Sequence, residues 1–239
     1  MKLITLFFPL VIFISCQRSV QDADDVIKKH IQFIGGEQRW GKIKTIVSSG
    51  EYDYGSIKFP FTSYSKAPNL YKFIVPLNGK YYAQAYDGVK GWKIDAFKDE
   101  TSPTLLSGKE ALAMANEADV ELENIFLYYQ KKGHAAILEG KDSIQQHACY
   151  KIKFTRKNGE IETYFFDDKS FELIMKQATA KNVEMSGSLL NIYYSDYREV
   201  DGIKLPFNSV SKIEGQSILI ITIDKVVLNA AINDSEFQR

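Results

Sequence analysis

The sequence predicts a mainly β protein with added helices (α+β), built on a long antiparallel meander. Residues 191–208 read as strand, two-residue turn, strand. Asp201-Gly202 supplies the turn, because Gly takes φ > 0 freely and Asp tolerates it, as a tight type I′ hairpin requires. The same kind of pair recurs between β-rich runs at Asn78-Gly79, Asp87-Gly88 and Asn158-Gly159. Helices enter where the apolar period lengthens from two to about 3.6 residues, over 22–34 and again over 109–132.

Taken in order, the chain opens with Lys2 and an apolar run over 3–14. The run is too short to cross a bilayer and suits a signal-peptide core. Ser15-Cys16 follows, a small residue before a Cys, as at a bacterial lipoprotein processing site; Phe13 departs from the aliphatic residue usual three positions before the Cys. Two readings stand: acylation of Cys16, or an ordinary secretory signal cleaved nearby. Under the first, 1–15 is the signal peptide, 16–22 the lipidated Cys with a short tether, and 23–239 a single domain.

Over 22–34, Ala23, Val26, Ile27, Ile31 and Ile34 recur at helical spacing. Asp22 is placed to cap the helix, Asp24 and Asp25 lie in its positive first turn, and Gly35-Gly36 ends it. His30 reads as a solvated side chain beside lysines. One more turn carries Trp40. Strands are then expected over 43–52, 57–66, 70–76, 81–86 and 90–95. Alternation puts Tyr71 and Phe73 on one face, Tyr81 with Ala83 and Ala85 on one face, and Trp92 with Ile94 on one face. Ser107 and Glu110 fit a capping box. Beyond them Ala111, Leu112, Ala115, Ala118, Leu122, Ile125, Phe126 and Tyr129 form a helical stripe, in one helix or two shorter ones. A helical segment inside a β meander has to cover something, either as core or as a lid over a cavity.

The second half returns to strands over 135–140, 147–156, 160–167, 172–179, 189–199, 203–213 and 217–229, with 182–187 a weakly ordered connection. Residues 218–223 are apolar on both faces and belong to a central strand. Pro206 cannot donate to a ladder, so its strand is an edge there or has a break.

Composition narrows the function. Thirty basic and thirty acidic residues cancel, and the two signs are interleaved. No strong field favours nucleic acid. Aromatic residues make up 13% of the chain, which suits strands and also suits aromatic walls around an apolar ligand. Of the two cysteines, Cys16 ends the export segment and Cys149 reads as a small buried residue, so the fold stands on its core. His30, His134 and His147 have no metal-ligand spacing, and neither a nucleophile elbow nor a phosphate loop is present. The expectation is a protein that is not an enzyme and needs no cofactor or metal.

Three stretches carry a resemblance: Ile31-Gln-Phe-Ile-Gly-Gly-Glu37, Tyr86-Asp-Gly-Val-Lys-Gly-Trp92 and Ser195-Asp-Tyr-Arg-Glu-Val-Asp-Gly-Ile-Lys-Leu-Pro-Phe207. Together they resemble outer-membrane lipoprotein-sorting proteins (LolA/LolB-like), in particular lipid-anchored Bacteroidetes-type members. The resemblance implies a strongly curved antiparallel sheet, an open half-barrel with an N-terminal helix and a helical lid over a hydrophobic cavity. It implies a monomer anchored through an acylated Cys16 to the outer membrane, facing the periplasm, whose partner is a lipid or an acylated lipoprotein. From alternation, the cavity is expected to be lined by Tyr71, Phe73, Tyr81, Trp92 and Ile94, with Leu122 and Phe126 from the lid. A second class of function keeps the same half-barrel but makes it a sensor or scaffold for an envelope protein.

Overall fold

The computed structural model describes residue 20 and residues 22–55, 57–122, 124–180 and 187–239, without the side chains of residues 109 and 119–122. Cys16, its leader and the connection 182–186 lie outside the described residues. The core clusters are assembled from residues 20–239. A chain that begins after Cys16 therefore keeps them whole.

The described residues form a single strongly curved antiparallel sheet of thirteen strands, left open rather than closed into a barrel. A first meander runs β1 (Thr45–Tyr54), β2 (Ile57–Lys66), β3 (Leu70–Leu77), β4 (Lys80–Tyr86), β5 (Gly91–Ile94) and β6 (Thr104–Leu105). A second runs β7 (Ala135–Ile144), β8 (His147–Thr155), β9 (Ile161–Asp167), β10 (Leu173–Thr179), β11 (Leu189–Val200), β12 (Ile203–Ile213) and β13 (Gln216–Leu228). The meanders join by pairing of β1 with β13, so β6 and β7 are the two edges. β13 holds the seventh place of thirteen, the central position its two apolar faces predict.

This topology gives the helical insertion its place. The chain leaves the sheet at one edge and re-enters at the other, so the connection between β6 and β7 has to cross the whole sheet. It does so over the concave face, as α3 (Gly108–Leu122) followed by turns through residue 133. Met114 and Ala118 pack on Phe61, Tyr71, Phe73 and Val75. Asn116 Nδ2 donates to Glu160 Oε2 at 3.5 Å, tying the helix to the hairpin between β8 and β9. The helix that the sequence predicts beyond Leu122 is instead a series of turns, and Leu112 is 51% exposed. Of the predicted stripe, Ala118, Ile125, Phe126 and Tyr129 are buried, and Leu112 lies off the narrow Met114–Ala118 line along which α3 meets the sheet.

The N-terminal elements are α1 (Ala23–Phe33) and α2 (Glu37–Trp40). Asp22 Oδ1 accepts from the Asp25 N–H at 3.0 Å, the predicted cap. The Tyr129 hydroxyl donates to the Asp24 carboxylate, and Gln130 Nε2 donates to the same group at 3.0 Å. The two coverings of the concave face are thereby joined. α1 ends by docking on the β11–β12 hairpin. The Lys204 N–H donates to Ile34 O at 3.0 Å, and Trp40 Nε1 donates to the same oxygen at 3.1 Å. A Cβ on Gly35 would lie 2.4 Å from Gly202 O, so only glycine allows this approach. Two of the stretches that carry the resemblance therefore touch one another.

The turns are partly as predicted. Asn78-Gly79 (φ 44°, 80°) and Asp201-Gly202 (φ 48°, 81°) have both residues left-handed, as type I′ requires. At the other two pairs only the glycine has positive φ. There the preceding side chain closes the turn: Asp87 Oδ1 accepts from Val89 and Lys90, and Asn158 Oδ1 accepts from Glu160. Pro206 lies beyond Asn208, the last β12 residue paired with β13, so its missing N–H breaks no bond to that strand.

Candidate functional site

The concave face carries a groove in two compartments. In the first, alternation along β3 points Tyr71 and Phe73 inward, and register across the sheet aligns them with Phe61 on β2, Ile221 and Ile223 on β13, and Phe207 on β12. Ser48, Ser63 and Ser209 lie among these large side chains, and their small size leaves about 240 Å³ unfilled under α3. The second compartment, about 230 Å³, lies under α1 and residues 124–126 and is walled by His30, Trp40, Phe126, Tyr164 and Tyr197. Tyr194, Leu205 and Pro206 line both. Together the compartments reach the ~300–1,000 Å³ usual for small-molecule sites. A more open cleft of about 860 Å³ lies between α1, α2 and residues 128–131; its lining mixes apolar Ile27, Ile31 and Phe126 with the charged Asp24, Lys28, Glu37, Arg39, Lys42 and Lys131.

Below the second compartment lies a buried ionic network. Glu162 accepts from Arg156 Nε at 2.9 Å and Nη2 at 3.1 Å, from Lys176 Nζ at 2.7 Å and from the Tyr164 hydroxyl at 2.7 Å. Burial alone would push the Glu162 carboxyl up, but Lys176 and Arg156 hold it down at about 2. Burial drives the Tyr164 hydroxyl well above its ordinary range, so it stays a donor.

His30 differs from the solvated residue the sequence predicts. It is 2% exposed, because the face of α1 that carries it turns toward Phe126 and Phe166. Its Nδ1 donates to Phe171 O at 2.8 Å, which places the proton on that nitrogen. Burial lowers its pKa to about 4, against an opposing contribution from the Phe171 carbonyl. Between pH 6.5 and 4 the unfolded chain takes up a proton here that the folded chain refuses, so stability is full above pH 6.5 and falls as pH drops toward 4. The expected loss is about 3 kcal/mol. Urea unfolding of wild type and His30→Phe across that range measures it, and the variant should lack this part of the slope.

The other predicted residues divide between the two faces of the sheet. Tyr71 and Phe73 lie on the concave face and line the first compartment, and Phe126 lines the second. Tyr81, Trp92 and Ile94 lie on the convex face: Phe73 pairs with Gln84, and it is the alternate residues Ala83 and Ala85 that pair with Ile94 and Trp92. Trp92 and Ile94 are core there, with Trp92 Nε1 donating to Phe237 O at 2.8 Å from the C-terminal turn, and Tyr81 is 47% exposed. Their placement in the cavity is therefore corrected. The Leu122 side chain lies outside the described residues. Cys149 is fully buried, and burial raises its thiol to about 11, an unreactive state. The sequence reading missed Ile221 and Ile223, whose strand is apolar on both faces and so shows no alternation, and Phe207, whose alternation with Ile203 and Leu205 was visible. It also missed Lys176 and Lys204, which no motif in the sequence sets apart from other strand charges.

No family model and no curated protein matches the chain. Among solved structures, it is similar to a LolA superfamily protein from Nitrosomonas europaea, with a TM-score of 0.59, 13% identity, and 92% of this chain and 99% of that one covered. A DUF1329 family protein from Desulfovibrio piger gives a TM-score of 0.59 at 13% identity, covering 89% of this chain and 95% of that one. A putative outer membrane lipoprotein-sorting protein domain from Vibrio parahaemolyticus gives 0.57 at 8% identity, covering 90% and 95%. At such identities the likeness is one of fold, and the fold this chain has is the LolA-like one: a curved, open antiparallel sheet with helices over its concave face.

Proposed function

We propose that the protein is a non-enzymatic envelope lipoprotein that binds lipid or lipoprotein acyl chains in the concave groove, as a carrier or acceptor in outer-membrane lipoprotein sorting. The observation that carries this reading is the unfilled apolar groove between sheet and helices, lined by Phe61, Phe73, Phe207, Ile221 and Ile223. Each methylene taken into such a groove contributes about 0.8 kcal/mol, so a long chain is held without any directional contact. The LolA-like fold adds support by analogy, which is weaker than the groove itself. In this reading Cys16 is acylated, the protein is a monomer facing the periplasm, and Tyr71, Phe73 and Phe126 contact the ligand.

Native mass spectrometry with lipid extraction tests it, on the chain beginning after Cys16 and purified from an envelope fraction. A stoichiometric co-purified lipid or acylated peptide is the expected result. A clean apo mass, together with no uptake of a fluorescent fatty acid, overturns it. Ser209→Trp gives a second test, because the indole would occupy the first compartment. Fatty-acid uptake should fall by about tenfold or more, while stability changes by less than about 1.5 kcal/mol.

A further inference from the structure

The groove is not uniform in charge. Among the described residues, the first compartment has Glu117 as the charged side chain of its lining and no cation. The second has two ammonium groups, Lys176 and Lys204, and no carboxylate. The two ends of the groove thus differ in the sign of their charge.

The carboxylate that the cations at that end contact directly, Glu162, is already fully engaged. Glu162 is 4% exposed and faces both Arg156 and Lys176. Its two oxygens already accept four hydrogen bonds, two from Arg156, one from Lys176 and one from Tyr164, which is the full capacity of a carboxylate. Arg156 meets it with a two-point fork, the stronger geometry. Glu160 also acts on Arg156, and Lys176 shares Glu162 with Arg156 while lining the groove wall. An ammonium has three N–H groups, and Glu162 takes one of those on Lys176. Lys204 lies over the Phe33 ring, Nζ at 4.6 Å from its centroid, with no carboxylate of the described residues within ion-pair distance. Glu172 is near enough for its titration to feel Lys204, but it does not line the groove. Cations held beside apolar walls favour an anion that completes their hydrogen bonds.

We propose that the ligand is an anionic amphiphile whose carboxylate or phosphate is bound by Lys176 and Lys204. Its hydrocarbon runs past Tyr194 and Leu205 into the compartment walled by Phe73 and Ile221. The inference rests on the acyl-binding reading above and narrows it, from any acyl chain to one with an acidic head.

Three amphiphiles of one tail length separate the cases: a fatty acid, a lysophosphatidic acid and a neutral monoacylglycerol, each displacing a dansyl-labelled fatty acid from the chain that begins after Cys16. The wild type should bind one or both acids about tenfold more tightly than the monoacylglycerol. Whichever acid is preferred identifies the head as carboxylate or phosphate. Lys176→Met and Lys204→Met should each weaken acid binding by about tenfold and leave monoacylglycerol binding unchanged. Thermal melts establish that the variants are folded; should Lys176→Met not fold, the more peripheral Lys204→Met decides. Equal wild-type affinity for all three, or an equal loss for all three in the variants, overturns the acidic-head proposal and leaves acyl binding standing. Binding of none of them overturns the acyl-binding reading itself.

Discussion

Glu162→Gln is expected to lower the unfolding free energy by about 3–5 kcal/mol, because it leaves the buried Arg156 and the half-buried Lys176 facing a neutral amide. The shape of the site is kept, and the amide oxygen still accepts from the Tyr164 hydroxyl, so the loss measures charge rather than packing. Lys176→Met should cost far less, about 1 kcal/mol, since it leaves Arg156 and Glu162 as a paired unit. The asymmetry is the informative part, and urea midpoints of the two variants at neutral pH measure it. Equal costs would mean that Lys176 is as necessary to the network as its carboxylate. The pH dependence has a matching sign. The Glu162 carboxyl is depressed to about 2, so its stabilisation is present above about pH 4.5 and is lost as pH falls from there toward 2. That window lies mostly below the one in which His30 acts.

Gly50→Ala should destabilise the protein by at least about 3 kcal/mol. Gly50 lies on β1 at the register shift against β13, where the two meanders join at the middle of the sheet. A Cβ there would lie 2.0 Å from Thr222 O and 2.8 Å from Ile223 Cα. Both are backbone atoms of a central strand, so no side chain can swing aside to relieve the clash. The change would also push apart the strand that presents Ile221 and Ile223 to the groove. Gly41→Ala is the control. Gly41 has a right-handed helical conformation, and the nearest atom to its Cβ would be 3.4 Å away, so a change within about 0.5 kcal/mol is expected. Chemical denaturation of both variants measures the difference.

Local chemistry was readable and long-range chemistry was not. The Asp22 cap, the Asn78-Gly79 and Asp201-Gly202 turns and the central place of 218–223 each depend on a few consecutive residues, and each is present. The Gln145-Gln146 turn, with φ of 50° and 70°, was invisible because nothing in that pair favours a left-handed backbone. The β9–β10 register, with Lys176 opposite Tyr164, brings Lys176 to Glu162. In sequence these charges look like any solvated strand face.

The sequence by itself determined that this is an antiparallel meander with an N-terminal helix and a helical crossing, because hydrophobic period and turn residues act over short distances. It determined, too, which residues share a strand face. Only the tertiary structure decided which face is concave. A strand's alternation is symmetric between its two sides, and the choice is made by what covers them. Phe73 is inside because α3 crosses above it. Trp92 is outside the groove because the C-terminal turn at Phe237, 145 residues further along the chain, covers it on the other face.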